Sequence, residues 1–231
     1  MKTIELMEKL RKMPVFHVND LAKITGLNAH AVRMLVWRLY KKKLIRRIER
    51  AKYTAVESTL AMANYTARPS YVGLYSALRF HNMTDQIVRD IDILVPKSRK
   101  TIEINGYKIR FTKTKHFWGF EKYRIDEFEV LVSDPEKTII DCLMSEKISI
   151  QAVFEAIKSR KIDMKKIGDY IDRTNSSALA KRLGLLLEKA GYEFELCTNY
   201  AKGQYVSLDV HLPKKGKKNK KWKVIENRAI A

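Results

Sequence analysis

Apolar residues recur at helical spacing in the first third of the chain. The first such pattern predicts a helix over residues 3–12, and Pro14 ends it because the ring restricts the backbone of the residue before it. The residues expected to face inward on this helix are Ile4, Leu6, Met7 and Leu10.

Two further helices are expected before residue 43. Asn19 is the expected N-cap of the first of them, and Gly26 supplies the positive φ that ends it. Asn28 then caps a helix over residues 28–42. Its apolar stripe, at spacings of three and four, consists of Val32, Leu35, Val36, Leu39 and Tyr40.

The stretch "LIRRIERAKYTAV" reads as two short strands that turn around Arg50 and Ala51. Three helices followed by a small basic hairpin is the element order of a winged helix-turn-helix. We therefore expect residues 1–60 to form a DNA-binding domain of this kind.

The remaining chain mixes strand and helix patterns. Ser70 is expected to cap a helix, and "IVRDIDILVP" alternates as a strand that stops at Pro96. Asn105-Gly106 separates two strand patterns, which is a strong hairpin signal. Asp134 and Pro135 are expected to be the N-cap and first residue of another helix. Residues 70–231 are thus expected to form an α+β domain, which makes the fold class α+β.

Charge is distributed unevenly along the chain. The sequence holds 46 Lys and Arg against 26 Asp and Glu, a net charge of +20. Residues 1–60 carry +9 and residues 213–231 carry +7, whereas residues 61–212 carry only +4. This excess at the two ends favours a polyanionic partner over a small metabolite.

The sequence lacks the patterns typical of membrane proteins, secreted proteins, metal sites and common enzymes. No apolar run is long enough to span a bilayer, and the amphipathic start lacks a secretory core, so a cytoplasmic protein without a membrane role is expected. Cys142 and Cys197 have no metal-ligand spacing and are expected to be reduced and buried. The scattered histidines and the lack of a P-loop or nucleophile elbow predict a protein that is not an enzyme and needs no cofactor or metal.

A series of segments resembles the AbiEi family of abortive-infection antitoxins. The segments are "YVGLYSALRFHNMTDQ", "DPEKTIIDCL", "SALAKRLGLLLEKAG" and "LPKKGKKNKKWKVIEN", and the resemblance runs from about Phe16 to Asn227. It implies a DNA-binding autorepressor of a toxin-antitoxin operon, usually encoded beside a nucleotidyltransferase toxin with which it forms no stable complex. The strand "DIDILV" is more acidic than expected at its place in this family.

The helix over residues 28–42 is the expected reader of double-stranded DNA. With its apolar stripe inward, the opposite face offers Asn28, His30 and Arg33 to base edges, since the N-terminal half of such a helix enters the major groove. Trp37, Arg38 and Lys41 lie further along and are expected at the DNA backbone. The competing interpretation is a solvated basic face on which Trp37 covers a seam between domains.

Two more basic segments are expected to contact phosphate. The hairpin tip carries Arg46, Arg47, Arg50 and Lys52, although strand alternation prevents Arg46 and Arg47 from both facing DNA. The C-terminal segment is expected to be an anchored lysine loop, or else a merely solvated one. Its lysines are Lys214, Lys215, Lys217, Lys218, Lys220 and Lys221.

Two alternatives from other functional classes stay open. Asp90 and Asp92 project from the same face of a strand, as magnesium-binding carboxylates do in nucleotidyltransferases, with Glu129 as a weak third candidate. The expected glycine-serine helix start is lacking at Gly73, and a half-buried strand paired with Arg or Lys explains the same acids. Alternatively, the second domain is a protein-interaction module.

Overall fold

The computed structural model describes residues 2–87, 89–104, 106–159, 162–193, 200 and 203–230. The chain contains both helices and strands, in separate runs rather than in strict alternation, and it is mixed α+β as its sequence pattern predicted. The helices are α1 (Thr3–Arg11), α2 (Val18–Thr25), α3 (Ala29–Lys41), α4 (Thr59–Thr66), α5 (Leu74–Phe80), α6 (Pro135–Ser145), α7 (Ile150–Lys158), α8 (Met164–Thr174) and α9 (Ser177–Lys189). The strands are β1 (Phe16–His17), β2 (Arg46–Glu49), β3 (Lys52–Thr54), β4 (Tyr71–Val72), β5 (Ile91–Val95), β6 (Ile102–Ile104), β7 (Tyr107–Lys113), β8 (Phe120–Ile125), β9 (Phe128–Ser133), β10 (Val206–Ser207), β11 (Lys217–Asn219) and β12 (Val224–Glu226).

The chain divides into two compact units. Unit 1 comprises Met1–Val72, Arg89–Phe117 and Glu121–Val132. Unit 2 comprises Gly73–Val88, Trp118–Phe120 and Ser133–Ala231. The expected division into domains of residues 1–60 and 70–231 stays a prediction.

The first part of unit 1 packs three helices against a small sheet ordered β1-β3-β2. Apolar residues from every one of these helices meet in one core with Phe16 and Ile45. Most of the residues that were predicted to face inward on α1 are buried in this core, with one exception. Ile4 was expected to face inward but is 74% exposed, because α1 turns only Leu6, Met7 and Leu10 toward the core.

Helix boundaries in this region follow local side-chain chemistry. Gly26 has φ +69° and ends α2, as predicted. The prediction that Asn19 caps α2 is wrong, because the helix begins at Val18 and His17 is its N-cap. The carboxylate of Asp20 accepts a hydrogen bond of 2.8 Å from the His17 amide, so the capping interaction starts two residues earlier than expected.

The rest of unit 1 is built on a six-stranded sheet ordered β6-β7-β5-β4-β9-β8. The hairpin at Gly106 is confirmed by the antiparallel pairing of β6 and β7, although Asn105 lies outside the described residues. Strand β5 is central and buried along its whole length, and it runs parallel to β7. Ser70 was expected to cap a helix, but it precedes β4 and is buried against Asn64, whose amide nitrogen donates to the Ser70 carbonyl at 3.0 Å.

Unit 2 contains α5 to α9 and a small sheet ordered β10-β12-β11. Asp134 caps α6 by accepting a hydrogen bond of 2.8 Å from the Lys137 amide, with Pro135 in the first turn, as predicted. Cys142, also on α6, is buried, as predicted, whereas Cys197 lies outside the described residues.

The C-terminal segment is anchored, as predicted, but its lysines do not form only a loop. Residues Lys217–Asn219 are strand β11, which pairs antiparallel with β12, because the apolar residues of β12 fix the hairpin on the unit. Trp222 is 2% exposed and donates its indole N–H to Glu188 at 2.9 Å. Its ring lies directly over Gly184 of α9.

Gly184→Ala is therefore expected to destabilise the protein. A Cβ at this position overlaps the buried Trp222 ring, and overpacking of this kind costs about 3 kcal/mol at the upper end of its usual range. The gain in helix propensity from Gly to Ala offsets about 1 kcal/mol, which leaves a net loss near 2 kcal/mol. Urea unfolding measures it, with Gly168→Ala on α8 as the control, because nothing lies within 4 Å of a Cβ there. An unchanged free energy of unfolding for Gly184→Ala would contradict the tight contact.

Candidate nucleic-acid interface

Helix α3 has one buried and one exposed face. Asn28 caps it, as predicted, and its side-chain oxygen accepts a hydrogen bond of 2.9 Å from the Ala31 amide. Val32, Val36 and Leu39 are buried. Tyr40 was expected in the same stripe but is 50% exposed, because the helix carries it round to the outer face.

The exposed face of α3 carries the side chains expected to read DNA. His30 and Arg33 in the N-terminal half are exposed, and neither is covered by other described residues. The cap at Asn28 uses the oxygen that a bidentate contact to adenine needs. Arg33 is consequently the best-placed side chain for direct recognition of a base.

Further along α3 the exposed residues are partly aromatic. Trp37 is 55% exposed, and the Lys41 ammonium lies 5.9 Å from the centre of its ring. Arg38 and Lys41 are exposed. Trp37 therefore does not cover a seam within its own unit, and the outer face of α3 combines cations with a large aromatic surface.

The hairpin formed by β2 and β3 separates its basic residues into two kinds. Arg47 and Arg50 are exposed, with Ala51 at φ +60° in the turn. Arg46 and Lys52 are half-buried, and each donates to a backbone carbonyl of unit 1: Arg46 to Val56, and Lys52 to Thr66 at 3.1 Å. Arg46 and Arg47 thus point in different directions, as strand alternation predicted.

Glu49 lies in the same hairpin and is held by cations. Arg99 and Lys52 both form ion pairs with its carboxylate. Burial raises the pKa of Glu49, but the hydrogen bonds and charges of Arg99 and Lys52 outweigh it, so the pKa lies below its usual value. Arg47 and Arg50 are the exposed cations of the hairpin, and Arg47 Nε donates to the Glu49 carbonyl at 3.3 Å. Sequence reasoning missed Arg99, which is 50 residues from Glu49 along the chain.

A shallow groove separates α3 from the hairpin. Arg33 on α3 and Arg47 on β2 both line it, together with Trp37 and Tyr40. Apolar atoms of Val18, Val36 and Tyr53 complete the lining. The groove places two cations from different elements beside a partly aromatic surface, which suits a phosphate backbone with a sugar or base edge beneath it.

The C-terminal lysines form a second basic surface, which belongs to unit 2. Lys221 pairs with Glu188, so its charge is partly compensated within the chain. The ammonium groups of Lys218 and Lys223 lie 5.5 Å and 5.2 Å from the centre of the Tyr205 ring. The other exposed lysines of this segment have no acidic partner among the described residues; they are Lys214, Lys215, Lys217 and Lys220.

Asp90 and Asp92, the candidate metal ligands of the alternative enzymatic interpretation, both form ion pairs with Arg110. Asp92 of β5 is 3% exposed, and its Oδ1 accepts from Arg110 Nε at 3.0 Å. Asp90 forms an ion pair with the same guanidinium at 3.2 Å. Glu129 is exposed and pairs with Lys122 at 3.1 Å. Within the described part of the chain, no three or more His, Cys, Asp or Glu residues are grouped so as to hold a metal ion.

No protein-family model matches the sequence, and no curated protein matches it either. Among the residues that the structure describes, no helix combines the length and apolar character needed to cross a membrane.

Proposed function

We propose that this protein is a sequence-specific, double-stranded DNA-binding transcriptional regulator that represses its own toxin-antitoxin operon. The observation that carries the proposal is the orientation of α3. Its apolar residues Val32, Val36 and Leu39 are buried, and Arg33, Trp37 and Lys41 are exposed on the opposite side. A helix-turn-helix requires this orientation, because its second helix must offer polar side chains to the major groove.

The neighbouring elements support a winged helix-turn-helix in residues 1–60. Helix α2 ends at Gly26 in the left-handed conformation, and α3 begins three residues later. The β2–β3 hairpin follows α3 and is joined by β1 into a three-stranded sheet. In such a domain α3 is the recognition helix and the hairpin is the wing.

The proposed mechanism divides the cations by their task. Arg33 contacts a guanine edge in bidentate fashion, and His30 contacts a neighbouring base. Arg38, Lys41, Arg47 and Arg50 neutralise phosphates and release the counterions condensed on them. Arg46 and Lys52 position the wing and do not contact DNA themselves, since their hydrogen bonds to the Val56 and Thr66 carbonyls hold the base of the hairpin.

The antitoxin role rests on the AbiEi resemblance and has its own test. A neighbouring reading frame that encodes a nucleotidyltransferase would support it. Expression of that neighbour alone is expected to arrest growth, and co-expression of this chain is expected to restore growth. Continued arrest would remove the antitoxin role and leave DNA binding to be judged separately.

DNA binding is tested by fluorescence anisotropy with a labelled duplex. The duplex is taken from the region upstream of the chain's own coding sequence, and a shuffled duplex of the same composition is the control. Binding is expected in the range of about 10⁻⁸–10⁻¹¹ M at physiological salt, with at least about 10³-fold preference over the shuffled duplex. Equal affinity for the two duplexes would refute sequence-specific repression at this region.

Arg33→Ala is expected to weaken operator binding by about 1–3 kcal/mol and to reduce discrimination against the shuffled duplex. The matched control is Arg38→Ala on the same helix, which removes the same charge from a residue proposed to touch backbone. That control is expected to weaken binding to both duplexes alike. If Arg33→Ala discriminates as well as the unchanged protein, Arg33 does not read a base.

A second candidate, a protein-interaction surface, is favoured by the exposed apolar side chains of α3. Met34, Trp37 and Tyr40 are 48%, 55% and 50% exposed. Aromatic and Met side chains are enriched at protein interfaces. Size-exclusion chromatography with light scattering, with and without DNA, separates the two. A dimer that dissociates on Trp37→Ala and ignores DNA would replace DNA binding by self-association through α3.

A further inference from the structure

Unit 2 contains a cavity of about 320 Å³ that plays no part in the proposed DNA contacts. It lies among the end of α6, the turn into α7, helix α9 and the segment over residues 208–212. Its size is at the lower end of the range that holds small ligands. The charged side chains that line it are Glu146, Lys147, Arg182, Asp209 and Arg228.

Arg182 is the polar feature of this cavity. The half-buried side chain donates one hydrogen bond, from Nε to the Ser207 carbonyl at 2.8 Å. Its two terminal nitrogens have neither a hydrogen bond nor an ion pair with any described residue. Burial lowers the pKa of Arg182, and the charges of Glu146 and Asp209 offset this only in part.

The nearby carboxylate of Asp209 is already engaged elsewhere. Its Oδ2 accepts from Arg228 at 2.6 Å, and its Oδ1 accepts from the His211 amide at 2.9 Å. The His211 ring in turn lies 2.6 Å from the Glu146 carbonyl oxygen. These bonds fix the segment that closes the cavity without involving the free end of the Arg182 guanidinium.

Part of the cavity wall is apolar. This part includes Leu143, Ile148, Leu208, Val210 and Leu212. Val210 and Leu212 are each 37% exposed, so they are the apolar residues of the wall nearest to solvent. A cation with unused donors beside an apolar wall matches a ligand with one anionic head and one short hydrocarbon tail.

We propose that this cavity binds a small organic carboxylate, with its head on the Arg182 guanidinium and its aliphatic tail against Leu208 and Val210. The fork of the guanidinium matches the two oxygens of a carboxylate. The apolar wall distinguishes such a ligand from inorganic phosphate and from acetate. This site stands independently of DNA binding.

Isothermal titration calorimetry with the full chain tests the proposal, using hexanoate, acetate and inorganic phosphate as probes. Saturable binding of hexanoate is expected, tighter than that of acetate or phosphate, because only hexanoate covers the apolar wall. Arg182→Gln is expected to weaken hexanoate at least about tenfold, the usual effect of losing a charge-assisted hydrogen bond. The control with the same loss of charge is Arg79→Gln. Arg79 is an exposed residue of α5 that does not line the cavity, so this variant is expected to bind hexanoate normally.

Val210→Trp provides an independent variant that leaves Arg182 in place. The larger side chain fills the cavity and is expected to abolish hexanoate binding. The proposal is overturned if the unchanged protein shows no saturable hexanoate binding up to about 50 mM, well above the millimolar range of weak ligands. Normal binding by folded Arg182→Gln, retained binding by Val210→Trp, or tighter binding of phosphate than hexanoate overturns it equally.

Discussion

Asp141→Ala is expected to lower the free energy of unfolding by about 3–5 kcal/mol, the cost of removing one partner of a buried ion pair. Lys137 is 0% and Asp141 3% exposed, and the Lys137 ammonium bonds to the Asp141 carboxylate one helical turn away on α6. The variant leaves the ammonium buried beside the Trp118 ring, whose centre is 4.9 Å away. Attraction to the ring and to the more distant Asp134 charge recovers only part of the lost charge pairing.

The loss of unfolding free energy in Asp141→Ala is expected to become smaller as the pH rises. Burial holds the pKa of Lys137 below its usual value, although the Asp141 charge raises it, so removing Asp141 lowers the pKa further. Between this lowered pKa and that of the unfolded chain, the unfolded state binds more protons, and stability therefore increases with pH. Urea unfolding is expected to show a larger difference from the unchanged protein near pH 7 than near pH 9.5.

Two variants separate the ion pair from general damage to the helices. Asp169→Ala, on the exposed side of α8, is expected to change stability by no more than about 0.5 kcal/mol. Lys137→Met combined with Asp141→Leu removes both charges and is expected to recover most of the loss. If the double variant is as unstable as Asp141→Ala, the buried charge is not the cause.

Local chemistry made parts of the interface predictable from sequence. The Asn28 cap and the left-handed Gly26 depend on residues within one helical turn, and the buried stripe from Val32 to Leu39 depends on residues within about two turns. The outward direction of Arg33 follows from that stripe. Sequence reasoning therefore assigned the orientation of α3 without any knowledge of long-range contacts.

Contacts between distant segments could not be predicted in the same way. Whether Glu49 meets Arg99, or Lys52 meets the Thr66 carbonyl, depends on how the hairpin packs on the rest of unit 1. The pairing of Asp92 with Arg110 needed the parallel register of β5 and β7, and the sequence suggested only an unspecified Arg or Lys. Strand β11 could not be predicted from its own residues, because six lysines surround it and give no strand pattern. Its pairing is imposed by the apolar residues of β12.

Strand β11 and its flanking turn carry the lysines whose removal is expected to change the salt dependence of DNA binding. Changing Lys217, Lys218 and Lys220 to Ala is expected to reduce the slope of log affinity against log salt by about three units, since each lost phosphate contact removes about 0.9. Lys221→Ala is expected to change the slope less, because Glu188 already neutralises that ammonium.

The control variant removes an equal charge from exposed sites of unit 2, namely Arg79, Lys165 and Arg173. If the lysines act only through the net charge of the protein, both triple variants change the slope alike. If they contact phosphates, only the C-terminal variant changes it, and the preference for the operator over the shuffled duplex remains, because phosphate contacts do not read sequence. An unchanged slope in the C-terminal variant would show that these lysines are merely solvated, and α3 with its hairpin would be left as the whole interface.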